Sequence, residues 1–144
     1  MSVESVEIVL HHYPESVFSE KVRILLGIKG LKWRSLEVPI INKGRITSEW
    51  TGGYRRIPVM QIGADFYCDT ELICRELEKR FPTPGRLLQE NELSIIASHF
   101  FDRVIFNGVT ANMFSSSSDF ALNNLDMAEF MQDRQVLIGE SALS

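Results

Sequence analysis

The run Val6-Glu7-Ile8-Val9-Leu10 is short, apolar and β-branched, and it stops at His11-His12-Tyr13-Pro14, where proline cannot continue a ladder. It predicts a buried strand with His11 and His12 in the turn that follows. Next, Ser16 precedes Phe18, Val22, Leu25 and Leu26 at helical spacing, and Gly27 or Gly30 offers a stop, which predicts a helix of about three turns. Trp33 to Val38 predicts a second strand ended by Pro39, and the polar stretch Asn42 to Gly53 predicts a long connection with irregular helix. Pro58 to Ile62 and Phe66 to Cys68, joined at Gly63-Ala64-Asp65, predict a hairpin. Asp69-Thr70 opens a helix over Glu71 to Phe81, with Leu72, Ile73, Leu77 and Phe81 on its inner stripe and Pro82 and Pro84 behind it.

The order so far is βαβ, a connection, then ββα. Pro82, Pro84 and Gly85 predict a boundary at Thr83 to Arg86, dividing the chain into domains 1–85 and 86–144. Beyond it Leu93, Ile96, Ala97, Phe100, Phe101, Val104 and Ile105 recur at three- and four-residue steps, predicting one amphipathic helix whose face needs a partner. Ser115-Ser116-Ser117-Ser118-Asp119 interrupts the pattern, and Phe120 to Leu137 predicts one more helix. The aromatic stripe from Phe100 to Phe114 reads as core or subunit packing.

Composition narrows the function. The 144 residues are 44% apolar and 24% charged, as in a folded chain, and the net charge of −4 argues against nucleic acid as a partner. The acidic start lacks a signal peptide's basic region, and no apolar run nears the roughly 20 residues of a spanning helix. The expectation is a soluble cytoplasmic protein without membrane contact. Cys68 and Cys74 are six apart and read as reduced packing residues; no third ligand accompanies His11 and His12, so no metal is expected.

In a βαβ unit the first strand delivers the chain to a helix start, whose unpaired N–H groups favour an anion. Ser16 stands there, and Ser16-Val17-Phe18-Ser19 has hydroxyls where a dithiol protein carries CxxC, which excludes dithiol chemistry. Ser16 and Asp69 each read by themselves as ordinary caps, Ser19 as a solvated first-turn residue, and Arg55-Arg56 as an exposed basic pair.

Three ordered stretches go further: Tyr13 to Arg23, Arg56-Ile57-Pro58-Val59-Met60 and Tyr67 to Ile73. With them the chain resembles the thioredoxin-like N-terminal domain of the glutathione S-transferase superfamily over about residues 5–85, followed by a short, incomplete all-α region. The Thr51 to Pro58 segment resembles a bacterial branch. The resemblance implies that Ser16 is the catalytic hydroxyl, donating a hydrogen bond to the sulfur of glutathione as in serine-type members. A hydrogen bond to a charged group is worth roughly 1.5–3 kcal/mol, or about one to two pKa units on a thiol near 8.5. It further implies that Pro58 is the family's cis-proline, that Ile57 meets the cysteinyl part through its backbone, and that Asp69 and Thr70 hold the γ-glutamyl end.

The implied activity is attack of the glutathione thiolate on a small-molecule electrophile, by substitution or addition, in a homodimer. A glutathione-linked isomerase or dehalogenase shares the same site. The alternative from another class is a non-catalytic dimerisation or interaction module on the same fold.

Overall fold

The computed structural model describes residues 7–41, 47–83, 92–113, 115 and 126–141. The chain divides into two compact units, Met1–Leu88 and Gln89–Ser144.

The first unit is a four-stranded mixed sheet with helices, a thioredoxin-like fold. Its elements are β1 (Ile8–His12), α1 (Val17–Ile28), β2 (Arg34–Glu37), β3 (Val59–Ile62), β4 (Asp65–Cys68) and α2 (Thr70–Arg80). The strand order is β2-β1-β3-β4, with β1 parallel to β2 and antiparallel to β3, and β3 antiparallel to β4. Gly63, at φ 61, takes the left-handed position that a two-residue hairpin turn needs. Gly30, at φ 62, closes α1: its N–H reaches the Gly27 carbonyl and the Leu31 N–H reaches that of Leu26, both at 3.0 Å.

Side chains alternate across the sheet, so each face builds its own cluster. Ile8, Leu10, Met60 and Ile62 pack under Val22, Leu25 and Leu26 of α1 and Ile73, Cys74 and Leu77 of α2. On the opposite face Val38, Ile57 and Val59 gather with Tyr13, Tyr54, Phe66 and Cys68. A buried ion pair joins the two helices: Lys29 Nζ lies 3.0 Å from Glu78 Oε2 and donates to the Phe81 carbonyl at 2.7 Å.

Several sequence expectations need correction. The first strand runs to His12, and His11 and His12 are buried strand residues instead of turn residues, because β2 pairs with both and β3 pairs with His11 from the other side. Ser19 is fully buried, not solvated, since α1 lays that side of its first turn on the sheet. Leu72 is half exposed, and Cys74 takes the place in the core assigned to it.

The second unit contains α3 (Glu92–Phe100), a π-helical turn (Phe101–Ile105), α4 (Phe106–Met113) and α5 (Met127–Ser141). The single regular helix expected here is thus broken by a wider turn. Helix α5 begins at Met127 within the expected span, with Asp126 Oδ1 accepting the Ala128 and Glu129 N–H groups at 3.0 and 3.1 Å. Leu93, Ile96, Phe100, Phe101 and Val104 are exposed. Phe114, the run 116–119, residues 120–125, the boundary residues 84–86 and the connection 42–46 lie outside the described residues. Among the described residues no helix is long and apolar enough to cross a membrane, and no three His, Cys, Asp or Glu side chains cluster.

Candidate functional site

Register gathers the candidate residues. His11 pairs with Val59, and Val59 pairs with Cys68, so three neighbouring strands align on one row. Past that row, β1 continues to Ser16. The residues before β3, Ile57 and Pro58, and the residues after β4, Asp69 and Thr70, run out at the same end because β3 is antiparallel to both neighbours. Strands about 4.8 Å apart hold all five positions along one sheet end.

Ser16 is the N-cap of α1, and its extended backbone (φ −74, ψ 112) lets Oγ accept the Ser19 N–H at 3.2 Å. Its N–H donates to the Tyr13 carbonyl at 3.2 Å, and its carbonyl accepts the Glu20 N–H at 2.9 Å. Only 6% of the residue is exposed. The cap uses a lone pair, and among the described residues no acceptor takes the Ser16 hydroxyl proton.

The turn before Ser16 is anchored by Arg23, whose guanidinium donates to the Pro14 carbonyl at 2.8 Å, His12 Nδ1 at 2.9 Å and Glu20 Oε2 at 2.6 Å. An acceptor role for Nδ1 assigns the proton of His12 to Nε2, which meets Ser35 Oγ at 2.7 Å. Burial first, and Arg23 second, lower the pKa of His12 and keep the ring neutral.

The Ile57–Pro58 peptide bond is cis. Both residues are buried, and among the described residues nothing pairs with the Ile57 backbone N–H or carbonyl.

Asp69 turns the chain from β4 into α2. It caps the helix, its Oδ1 accepting the Glu71 N–H at 2.9 Å and its carbonyl accepting the Ile73 N–H at 2.9 Å. Its backbone sits at φ 74, ψ 131, a region that costs a side-chain-bearing residue of order 1–3 kcal/mol. Asp69 is exposed, whereas Thr70, the first helical residue, is buried.

Two further groups at this corner carry no signal in the sequence. The Tyr54 phenol is pushed up to about 12, mainly by burial and then by the charges of Asp69 and Cys68, while Arg56 and a hydrogen bond from the Asp69 backbone oppose the shift. The Cys68 thiol is pushed up by burial, against a hydrogen bond from the Thr51 side chain, so it stays protonated at neutral pH.

The geometry therefore offers an undirected hydroxyl proton at a helix start, an unpaired stretch of extended backbone, and an acid-hydroxyl couple at a second helix start. Together these suit an extended, peptide-like anion.

The comparisons with known proteins agree with the fold. The family model described as Glutathione S-transferase, N-terminal domain, matches residues 10–85, a little over half of the chain. A GST-like protein from Pseudomonas syringae is 42% identical, with TM-score 0.62, over 75% of this chain and 40% of that one. A glutathione S-transferase from Methylobacterium radiotolerans, in complex with glutathione sulfonate, is 20% identical with TM-score 0.61 over 92% and 63% of the two chains. Rice GST1, in complex with glutathione, is 19% identical with TM-score 0.61 over 96% and 63%. The chain thus spans less than two thirds of the length of each. No curated protein matches the sequence.

Proposed function

The chain belongs to the family of glutathione S-transferase N-terminal domains, and from that premise we propose that it binds glutathione and activates its thiol as a serine-type member. The glutathione-binding domain is residues 1–85, and residues 86–144 form the helical part. The unspent hydroxyl proton of Ser16 carries this reading. Its Oγ already serves the helix as acceptor, so its remaining capacity is to donate, which a thiolate needs.

In this reading the free N–H and carbonyl of Ile57, ahead of the cis Pro58, pair in strand fashion with the cysteinyl unit. The start of α2 receives the γ-glutamyl carboxylate at Thr70, and the Asp69 carboxylate faces the ammonium. The ionised sulfur then attacks a small electrophile by substitution or addition. Ser16 stabilises charge on another sulfur and forms no covalent bond itself. The protein acts in the cytoplasm as a homodimer, a state favoured by the exposed apolar side chains of the second unit.

Thermal-shift titration with glutathione tests the reading. At ten times Kd, native-state binding adds about 1.4 kcal/mol, which raises Tm by several degrees in a domain this size. A flat Tm up to millimolar glutathione refutes binding and leaves the interaction module as the function.

A further inference from the structure

Ser16 sits where a turn meets a helix. Its N–H donates to the Tyr13 carbonyl at 3.2 Å and its Oγ accepts the Ser19 N–H at 3.2 Å, both at the long end for such bonds. Pro14, in the middle of the turn, has no N–H to add another. The aim of the Ser16 hydroxyl therefore depends on what holds this turn from outside.

Arg23 holds it. Ser16, Glu20 and Arg23 fall at i, i+4 and i+7 on one face of α1, and helix side chains lean toward the N-terminus, which carries the guanidinium back over the first turn. There its three nitrogens serve three places. Nε donates to Glu20 Oε2 at 2.6 Å, Nη2 to the Pro14 carbonyl at 2.8 Å and Nη1 to His12 Nδ1 at 2.9 Å. Glu20 in turn gives its N–H to the Ser16 carbonyl at 2.9 Å. One planar fork thus joins the end of β1, the middle of the turn and the start of α1, the three pieces of chain around Ser16.

His12 is the brace behind the fork. It is 4% exposed, its ring stands edge-on to Trp33 with centroids 5.6 Å apart, and its Nε2 meets Ser35 Oγ of β2 at 2.7 Å. Arginine has no acceptor, so Nδ1 offers its lone pair, and the guanidinium is fixed to the sheet as well as to the helix. The Arg23 side chain is 19% exposed, so these bonds form largely out of water.

We propose that Arg23, braced by His12, is the positioning residue for thiol activation: it locks the turn from Tyr13 to Ser16 so that the Ser16 hydroxyl meets the sulfur of glutathione at a fixed distance and angle. This role rests on the serine-type glutathione reading above. Arg23 acts through Ser16, and docking of the peptide at Ile57, Asp69 and Thr70 does not use it.

The test is Arg23→Met, which removes the fork and keeps a long, helix-compatible side chain, beside Arg23→Lys, whose single ammonium cannot reach three separate acceptors at once. Arg34→Met, which removes an exposed arginine paired with Glu7 near the start of β1, controls for the loss of one charge. Ultraviolet difference absorbance of the bound thiolate reads the pKa of enzyme-bound glutathione, and isothermal titration reads Kd. Both Arg23 variants are expected to raise that pKa by about one unit and to lower kcat/KM at pH 6.5 about two- to threefold, a deficit that closes above pH of about 9, while Kd stays within about twofold. Arg34→Met is expected to match wild type in all of these.

Wild-type protein that does not bind glutathione, or that ionises it no better than Ser16→Ala does, overturns the serine-type reading and this role with it. Where the thiolate depends on Ser16 but Arg23→Met keeps the wild-type pKa, the positioning role alone is overturned; a lower Tm with an unmoved pKa marks a stabilising arginine and nothing more. A rise of equal size in Arg34→Met, or a wild-type pKa in Arg23→Lys, also overturns it, since charge and not the fork would then set the pKa. If Arg23→Met does not fold, Arg23→Lys decides by the same measurement. If neither folds, the arginine holds the fold itself and the positioning role is overturned.

Discussion

Substituting Ser16 separates its two tasks, because capping uses the oxygen as acceptor and thiol activation uses the proton. Ser16→Ala loses the 3.2 Å bond from Ser19 N, worth about 1 kcal/mol, or a Tm lower by about 4–8 °C in a unit of this size. It also loses a hydrogen bond to the thiolate worth roughly 1.5–3 kcal/mol, which raises the thiol pKa by about one to two units. At pH 6.5 the thiolate fraction falls about 9-fold for one unit and about 50-fold for two. The more basic sulfur regains a factor of about three per unit through its higher nucleophilicity, leaving a net loss of about 3- to 6-fold.

Above pH of about 9 the unaided thiol ionises, so the deficit closes. The assay is kcat/KM for glutathione with a chromogenic chloronitroarene across pH 6–10, beside thermal melts. Ser16→Gly sharpens it by sparing most of the cap stability while lacking the hydroxyl. Ser16→Asp caps as well as serine but offers only acceptors and a like charge, so it is expected to melt normally and lose more activity than alanine. A loss that is equal at every pH, or an active Ser16→Asp, refutes the reasoning.

Two further predictions concern the scaffold. Lys29→Met strands Glu78 in a site where the two side chains are 0% and 6% exposed, so denaturant unfolding should show a loss of about 3–5 kcal/mol, largely recovered in Lys29→Met with Glu78→Leu; equal stability of the single variant and wild type refutes the buried pair. His11 and His12 are both held below the usual imidazole range, chiefly by burial, so they stay neutral in the fold while the unfolded chain gains protons near pH 6.5. Stability is therefore full above that pH and falls as pH drops below it towards the folded values. Denaturant midpoints at pH 7.5 and 5.5 are expected to differ, and to differ less in His11→Leu; a His11→Leu protein with the wild-type pH dependence refutes this.

Local pattern made most of the fold legible. Ser16 and Asp69 precede helices in the sequence and cap them in the structure, and Gly63 marks the hairpin turn. Pairing was harder to read. Pro14 suggested an early end to β1, but the strand runs on because β2 and β3 flank it, and that neighbourhood is invisible locally. Ser19 looked like a surface hydroxyl because its helix face is set by the sheet beneath. The candidate site was legible where one residue type does one job near a helix start. The Lys29–Glu78 pair was not, since its partners stand 49 positions apart.

The central position of β1 bears on how the chain is made. Its antiparallel neighbour begins at Val59 and completes the pairing of Ile8 with Ile62 only when residue 62 is available. At about 5–20 residues per second, the ribosome leaves Ile8, Val9 and Leu10 without that neighbour for several seconds. During this interval an apolar strand is presented to solvent with its hydrogen-bonding edge open, a state that invites cohesion with other nascent chains or shelter by a holdase.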